Sequence, residues 1–250
     1  MPLHPDPPMK ICVAQIRPLK GDIPQNIENH QRLINAAITQ GADLIIFPEL
    51  SLTGYEPELA KVLATHPDDS RLDDFQIMSD AAHITIGVGL PTQNAEGICI
   101  SMVLFQPHPA RAVYSKKYLH ADEEPFFISG QSTVGLIGPK NDIAPAICYE
   151  LSVPEHSENA FRRGATVYLT SVAKSADGVD KAMTTLADIA RQYGMTVLMS
   201  NCIGYCDNFE SAGQSAILDS KGTVVGQMDD HREGLLMIDT GTGKITEIIA

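Results

Sequence analysis

The run Asp-Leu-Ile-Ile-Phe at 43–47, stopped by Pro48 and Glu49, restricts the fold more than any other segment. A strand with one wet face alternates apolar and polar side chains. This run does not alternate, so both of its faces have to be covered. A strand covered on both sides calls for a sheet with a further layer against each face. Ile84 to Leu90 has the same character. Both runs are far shorter than the ~18 residues needed to span a membrane.

Around these runs the chain alternates between the periods of strands and helices. Lys10–Ile16, Ile84–Gly89, Ile98–Phe105, Arg111–Ser115, Thr133–Ile137, Ile143–Ile147, Thr166–Thr170, Thr196–Ser200 and Leu235–Ile238 read as strands. A helix opens at Asp22 and Pro24, places Ile27, Ile34 and Ile38 on one face and closes at Gly41. A weaker helix covers about 57–65, and others run over Arg71–His83, Pro154 to about Arg163 and about Val179–Tyr193. Ser220-Lys221-Gly222 marks a hairpin. No Gly/Ser or Pro-rich linker interrupts the series, so one α/β domain is expected over residues 10–250. Residues 1–9 are expected to be a flexible leader. They lack the basic stretch followed by an apolar one that marks a secretory signal.

With 31 acidic and 18 basic side chains, a net charge of −13 argues against nucleic-acid and anionic-membrane partners. The five cysteines are odd in number and mostly sit in apolar runs, which fits reduced thiols and a cytoplasmic location. Cys202 and Cys206 have no matching ligand pair, so no metal site is expected. The chain contains no P-loop and no G-x-G-x-x-G, and no cofactor is expected.

Three strand ends carry residues with complementary chemistry. Glu49 follows the run 43–47, Lys116 ends Arg111–Ser115, and Cys148 ends Ile143–Ile147. In open α/β sheets, ligands bind outside strand ends. A thiol with a pKa of about 8.5 needs activation at neutral pH. A carboxylate can take its proton, and an ammonium can stabilise both a thiolate and the negative charge that develops on an attacked amide or nitrile. The N–H of Tyr149, which follows the thiol, is a second candidate donor. Taken one at a time, each residue also has an ordinary structural reading: a small buried Cys, a solvated loop Glu, a surface Lys.

The words around these residues resemble the carbon–nitrogen hydrolase family, or nitrilase superfamily. They are Gly41-Ala-Asp-Leu-Ile-Ile-Phe-Pro-Glu49 with Thr53-Gly54-Tyr55, then Tyr114-Ser-Lys116-Lys-Tyr-Leu119, then Ile147-Cys148-Tyr149-Glu150-Leu151 with Pro154-Glu155. Lesser echoes are Gln15, Asn201, Gly204, Gly213, Ser215 and Gly222. The resemblance runs from about residue 10 to 240 in the family's order.

It implies a four-layer α-β-β-α sandwich whose protomers associate through a helical surface, so a homodimer is expected. It implies a triad of Glu49 as general base, Lys116 as oxyanion stabiliser and Cys148 as nucleophile. A second glutamate is expected in Glu123-Glu-Pro-Phe-Phe-Ile-Ser-Gly130, with Glu123 matching by spacing and Glu124 as the alternative. Tyr55, Tyr149, Ser171 and Val172 are the implied substrate-binding residues. Two departures stand out: Glu150-Leu-Ser152 replaces the usual Asp-Leu-Arg, and Ala110-Arg-Ala112 lacks the usual glycine. The implied activity is hydrolysis of a small-molecule amide to a carboxylate and ammonia. The same triad would serve a nitrilase or an N-carbamoyl amidohydrolase, and the fold could also carry an inactive binding protein. A Cys-His-Glu amidotransferase fits less well, because His231 lacks the expected Pro-Glu context.

Overall fold

The computed structural model describes residues 8–108, 110–131 and 134–250. In chain order the elements are β1 (Lys10–Gln15), α1 (Ile23–Thr39), β2 (Leu44–Ile46), α2 (Ala60–Leu63), α3 (Asp73–Ala82), β3 (Thr85–Gln93), β4 (Ile98–Phe105), β5 (Ala112–Ser115) and β6 (Ile143–Ile147). There follow α4 (Pro154–Arg162), β7 (Val167–Val172), α5 (Ala176–Tyr193), β8 (Thr196–Asn201), β9 (Ile203–Cys206), β10 (Phe209–Ala212), β11 (Ala216–Leu218), β12 (Val224–Gln227), β13 (Gly234–Asp239) and β14 (Ile245–Ile249).

Among the described residues the strands form a seven-stranded sheet, β14-β13-β1-β2-β3-β4-β5, and a five-stranded sheet, β12-β11-β8-β7-β6. β9 and β10 make a separate hairpin. Three strands of each sheet run parallel, β1-β2-β3 at the centre of one and β8-β7-β6 along one side of the other, and the remaining neighbours pair antiparallel.

Side-chain parity assigns the layers. Ile11, Val13, Leu44 and Ile46 of one sheet meet Val167, Leu169, Leu198 and Ile217 of the other in a shared inner core. Cys12, Ala14, Ile45 and Phe47 point the other way, onto α1 and α3 with Leu33, Ile34 and Phe75. Ala144, Ala146, Tyr168 and Val197 face α4 and α5 through Ala160, Leu186 and Ile189. The result is an α-β-β-α sandwich. The non-alternating run 43–47 is accounted for: its successive residues serve two different cores.

Several expectations are corrected. The strand expected at Thr133–Ile137 is absent from the residues described there. Thr133 lies outside them, residues 134–136 are not strand, and Ile137 makes only an isolated bridge with Ile143. The chain turns back at once through Gly138 and Asn141, both at positive φ, which leaves no length for a ladder. The helix over 57–65 is reduced to a 3₁₀ turn, Pro57–Leu59, and the single turn α2. The last long helix begins at Ala176 rather than Val179. Leu235–Ile238 does not finish the domain, because β14 pairs along β13. The buried face of α1 is centred on Asn26, His30, Leu33 and Ala37, with Ile27 and Ile38 at its margins. Of the expected leader, residues 1–7 lie outside those described. Met9 is buried and exchanges hydrogen bonds with Thr240.

Candidate active site

Glu49 sits on a tight turn just past β2. Leu50, the next residue, has φ 51°, a left-handed conformation that costs a branched side chain strain and persists only where its surroundings hold it. They do so from below and from behind. A Cβ on Gly89 would lie 2.4 Å from the Pro48 carbonyl oxygen, so only glycine lets β3 approach the turn. His30 bridges the Asn26 carbonyl (2.6 Å) and the Ser51 hydroxyl (2.9 Å), and stacks on Phe47. Burial pushes its pKa down to about 4 against the pull of the Asn26 carbonyl, so it works as a neutral strut at neutral pH.

Lys116 follows β5 and is fully buried. Its Nζ donates to Glu49 Oε1 at 2.8 Å and to Glu123 Oε1 at 2.6 Å. Burial works to lower its pKa, but the two carboxylates, Glu49 foremost, win and raise it, so the ammonium stays charged. Glu123 is itself held by the Tyr55 hydroxyl (2.9 Å) and the His120 N–H (2.8 Å). The neighbours Glu124 and Lys117 are exposed. Gly130 closes this loop, with its N–H on the Lys116 carbonyl at 2.7 Å; a Cβ there would lie 2.3 Å from Ser115 Cβ.

Cys148 ends β6 and opens a 3₁₀ turn, Cys148–Ser152, with φ 43° at the cysteine itself. Cys148 as a residue is partly exposed, while Cys12, Cys99, Cys202 and Cys206 are buried. Burial, then the Glu49 charge, pushes the Cys148 pKa up to about 11 against the ammoniums of Lys174 and Lys116. At neutral pH the sulfur therefore keeps its proton and needs a base. Glu49 is the candidate. Burial raises its pKa, Lys116 opposes that, and the Glu123 charge adds to the rise. Its second oxygen, Oε2, is buried without a hydrogen-bond partner.

The thiol lines a cavity of about 480 Å³ together with Tyr55, Glu123, Phe126, Tyr149, Lys174 and Phe209, among others. Tyr149 turns its ring to the cavity mouth against His120, and its N–H is among the first of the 3₁₀ turn, which have no acceptor within it. Of Glu49, Lys116 and Cys148 only Cys148 lines this cavity, and none of them lines a smaller one, about 170 Å³, beside Tyr114.

Ser171 and Val172, expected in the acyl pocket, do not line the larger cavity. Ser171 Oγ donates to the Phe47 carbonyl at 2.8 Å and stitches one sheet to the other, and Val172 packs on the helical side. The cavity wall begins one residue later, at Ala173, where β7 has ended. The sequence reading also gave no role to Glu150. Its buried carboxylate accepts from the Tyr114 hydroxyl (2.7 Å), Lys117 N–H (2.7 Å) and Ile147 N–H (2.8 Å), tying the ends of β5 and β6 together. A carboxylate two residues beyond the thiol was the available signal.

The carbon-nitrogen hydrolase family model matches residues 10–249. The chain is similar to the glutamine-dependent NAD(+) synthetase of Acinetobacter baylyi, at 26% identity over 233 residues, which cover 90% of this chain and 43% of that protein. It thus spans less than half the length of that relative. It is also similar to Nitrilase 1 of Arabidopsis thaliana, 23% identical, with 96% of this chain and 81% of that protein covered. Among solved structures, a variant of the amidase from Nesterenkonia sp. AN1 in complex with butyramide superposes with a TM-score of 0.83 at 23% identity, over 95% of this chain and 93% of that one. That likeness establishes a shared fold. Among the described residues, no helix is long and apolar enough to cross a membrane.

Proposed function

The chain belongs to the carbon–nitrogen hydrolase family, and from that premise we propose that it is an amidase, converting a small-molecule amide to a carboxylate and ammonia through a thioester on Cys148. One observation carries the reading. A fully buried ammonium, Lys116, bridges Glu49 and Glu123 beside the Cys148 cavity, and one Glu49 oxygen is left without a partner.

Glu49 takes the thiol proton as the sulfur attacks the amide carbon. The carbonyl oxygen gains the negative charge, and the Lys116 ammonium and the Tyr149 N–H stabilise it. Collapse of the tetrahedral species breaks the C–N bond, and the leaving nitrogen departs as ammonia with the proton from Glu49. Water then gives a proton to Glu49, attacks the thioester and releases the carboxylate, and the sulfur regains its proton. Glu123, through its bond to Nζ, holds Lys116 in place. The raised thiol pKa fits this order of events: the proton leaves sulfur during attack rather than before it.

The test is ammonia release over a panel of amides, nitriles and ureido acids, with intact-mass detection of an acyl adduct. Amides are expected to turn over fastest, with the adduct on Cys148, and Cys148→Ala is expected to abolish turnover in a folded protein. Full activity in that variant would overturn the scheme. A thiol inert to iodoacetamide in the folded protein would favour a binding protein on the same fold. We take the working unit to be a homodimer, and sedimentation at the mass of one chain would contradict that.

A further inference from the structure

Lys174 stands one residue past Ala173, whose carbonyl oxygen lies 4.0 Å from the Cys148 sulfur. Its backbone is clamped on both sides by the buried Asn201 side chain, which accepts from the Lys174 N–H at 2.9 Å and donates to its carbonyl at 3.1 Å. The Ser211 hydroxyl and the Ala212 N–H reach the same carbonyl. The stem of Lys174 lies over Gly178, where a Cβ would sit 3.3 Å from Lys174 Cβ. Lys174, Ser175 and Gly178 all line the catalytic cavity.

The backbone is fixed, but among the described residues the Lys174 ammonium makes no ion pair or hydrogen bond. The Ser175 hydroxyl beside it does not cap the helix that follows. The charge reaches the reaction centre, since Lys174 opposes the rise of the Cys148 pKa more strongly than Lys116 does. The other basic side chain on the cavity wall, His120, is engaged by Asp122 at 2.6 Å. Of the acidic wall residues, Glu58, Asp122 and Asp207 are exposed, at the mouth, while Glu123 is buried with its charge engaged by Lys116. Outside the Glu49–Lys116–Glu123 bridge the wall is therefore polarised, with a cation near the thiol and carboxylates at the rim.

Building on the amidase reading, we propose that Lys174, with the Ser175 hydroxyl, selects amides whose acyl portion carries a carboxylate, which docks on the free ammonium. Such a group comes either on the monoamide of a dicarboxylic acid or on an amino acid with a side-chain amide. The rim carboxylates favour the second source, because its ammonium would face them.

The experiment compares succinamic acid with butyramide, which differ by a carboxylate in place of a methyl, and adds glutamine as a third arm. The wild type is expected to prefer succinamic acid in kcat/KM, chiefly through KM. Lys174→Met is expected to reduce the succinamic acid to butyramide ratio by about 10- to 100-fold, the size of one charge-assisted hydrogen bond, and Lys174→Arg to recover most of it. The same ratio is read as binding affinity by calorimetry on Cys148→Ala protein, with and without Lys174→Met. Glutamine outperforming succinamic acid assigns the amino-acid source, and the reverse assigns the plain monoamide. A wild type that favours butyramide, or a ratio that Lys174→Met leaves unchanged, overturns the proposal. No ammonia from any of the three amides would instead sink the amidase reading, and the binding ratio would still decide the docking site.

Discussion

Glu49 and Glu150 are both fully buried carboxylates at strand ends, and they are bonded in opposite ways. Every oxygen of Glu150 is taken: Tyr114 and Ile147 donate to one, Lys117 to the other. Glu49 gives one oxygen to Lys116 and keeps the other bare. A buried polar atom without a partner carries a desolvation penalty of about 1–3 kcal/mol. A chain that satisfies one carboxylate completely can satisfy another, so the bare oxygen next to the thiol is read as the acceptor for a transferred proton. The satisfied one is scaffold.

The sharpest way to break this contrast is to neutralise the two groups in turn. Glu49→Gln removes the base but keeps shape and a hydrogen-bonding oxygen near Lys116. It is expected to cut kcat/KM by about 10³-fold, within the range for loss of a general base, with little change in Tm. A loss of tenfold or less would mean that another group takes the proton. Glu150→Leu should do the reverse. It strands two backbone N–H groups and leaves the Tyr114 phenol with His156 alone, so stability is expected to fall by about 3 kcal/mol or more, or roughly 6–12 °C in Tm for a domain of this size. Activity should fall far less than in Glu49→Gln when assayed below the new Tm. Differential scanning calorimetry alongside ammonia release reads both quantities. An unchanged Tm would remove Glu150 from the scaffold.

How far this contrast was legible beforehand follows from the physics of strands. The elements carrying Glu49, Lys116 and Cys148 were readable because apolar runs ending in a polar residue are local patterns, and the words around them match one family. What a local pattern does not carry is facing. Successive strand residues point to opposite layers, so Ser171 went to the inner seam and Val172 to the helices, and the wall that was sought begins at Ala173. Glu150 registered only as a departure from a motif, because its partners come from residues as distant as Tyr114. The buried polar centre of α1, Asn26 and His30, was hidden for a related reason: its partners Leu52 and Ser51 lie in a loop whose path only the tertiary structure gives. β14 and β10 are short and part-exposed, and β9 is only four residues long, so burial imprints little pattern on any of them.

Glu123 lies between the two extremes, and its variant has the smallest effect and the most diagnostic sign. Like Glu150 it is saturated, accepting from Lys116, Tyr55 and the His120 N–H, yet its charge acts on Glu49. Burial raises the Glu49 pKa first, Lys116 opposes that, and Glu123, a like charge, raises it further. The base works only as the carboxylate, so activity is lost as pH falls through the Glu49 pKa, and that acid limb should lie above the ordinary glutamate value of about 4.3. Glu123→Gln removes the like charge and leaves Lys116 more fully to Glu49. Both changes favour the carboxylate, so the acid limb of kcat/KM should move to lower pH, while kcat falls by about tenfold because Lys116 loses its second anchor. Glu150→Leu, assayed in the same buffers, should leave the limb where it is. A limb that moves up in Glu123→Gln, or moves equally in both variants, would show that the charge acting on the base does not come from Glu123, and Glu123 would then belong with Glu150 as scaffold alone.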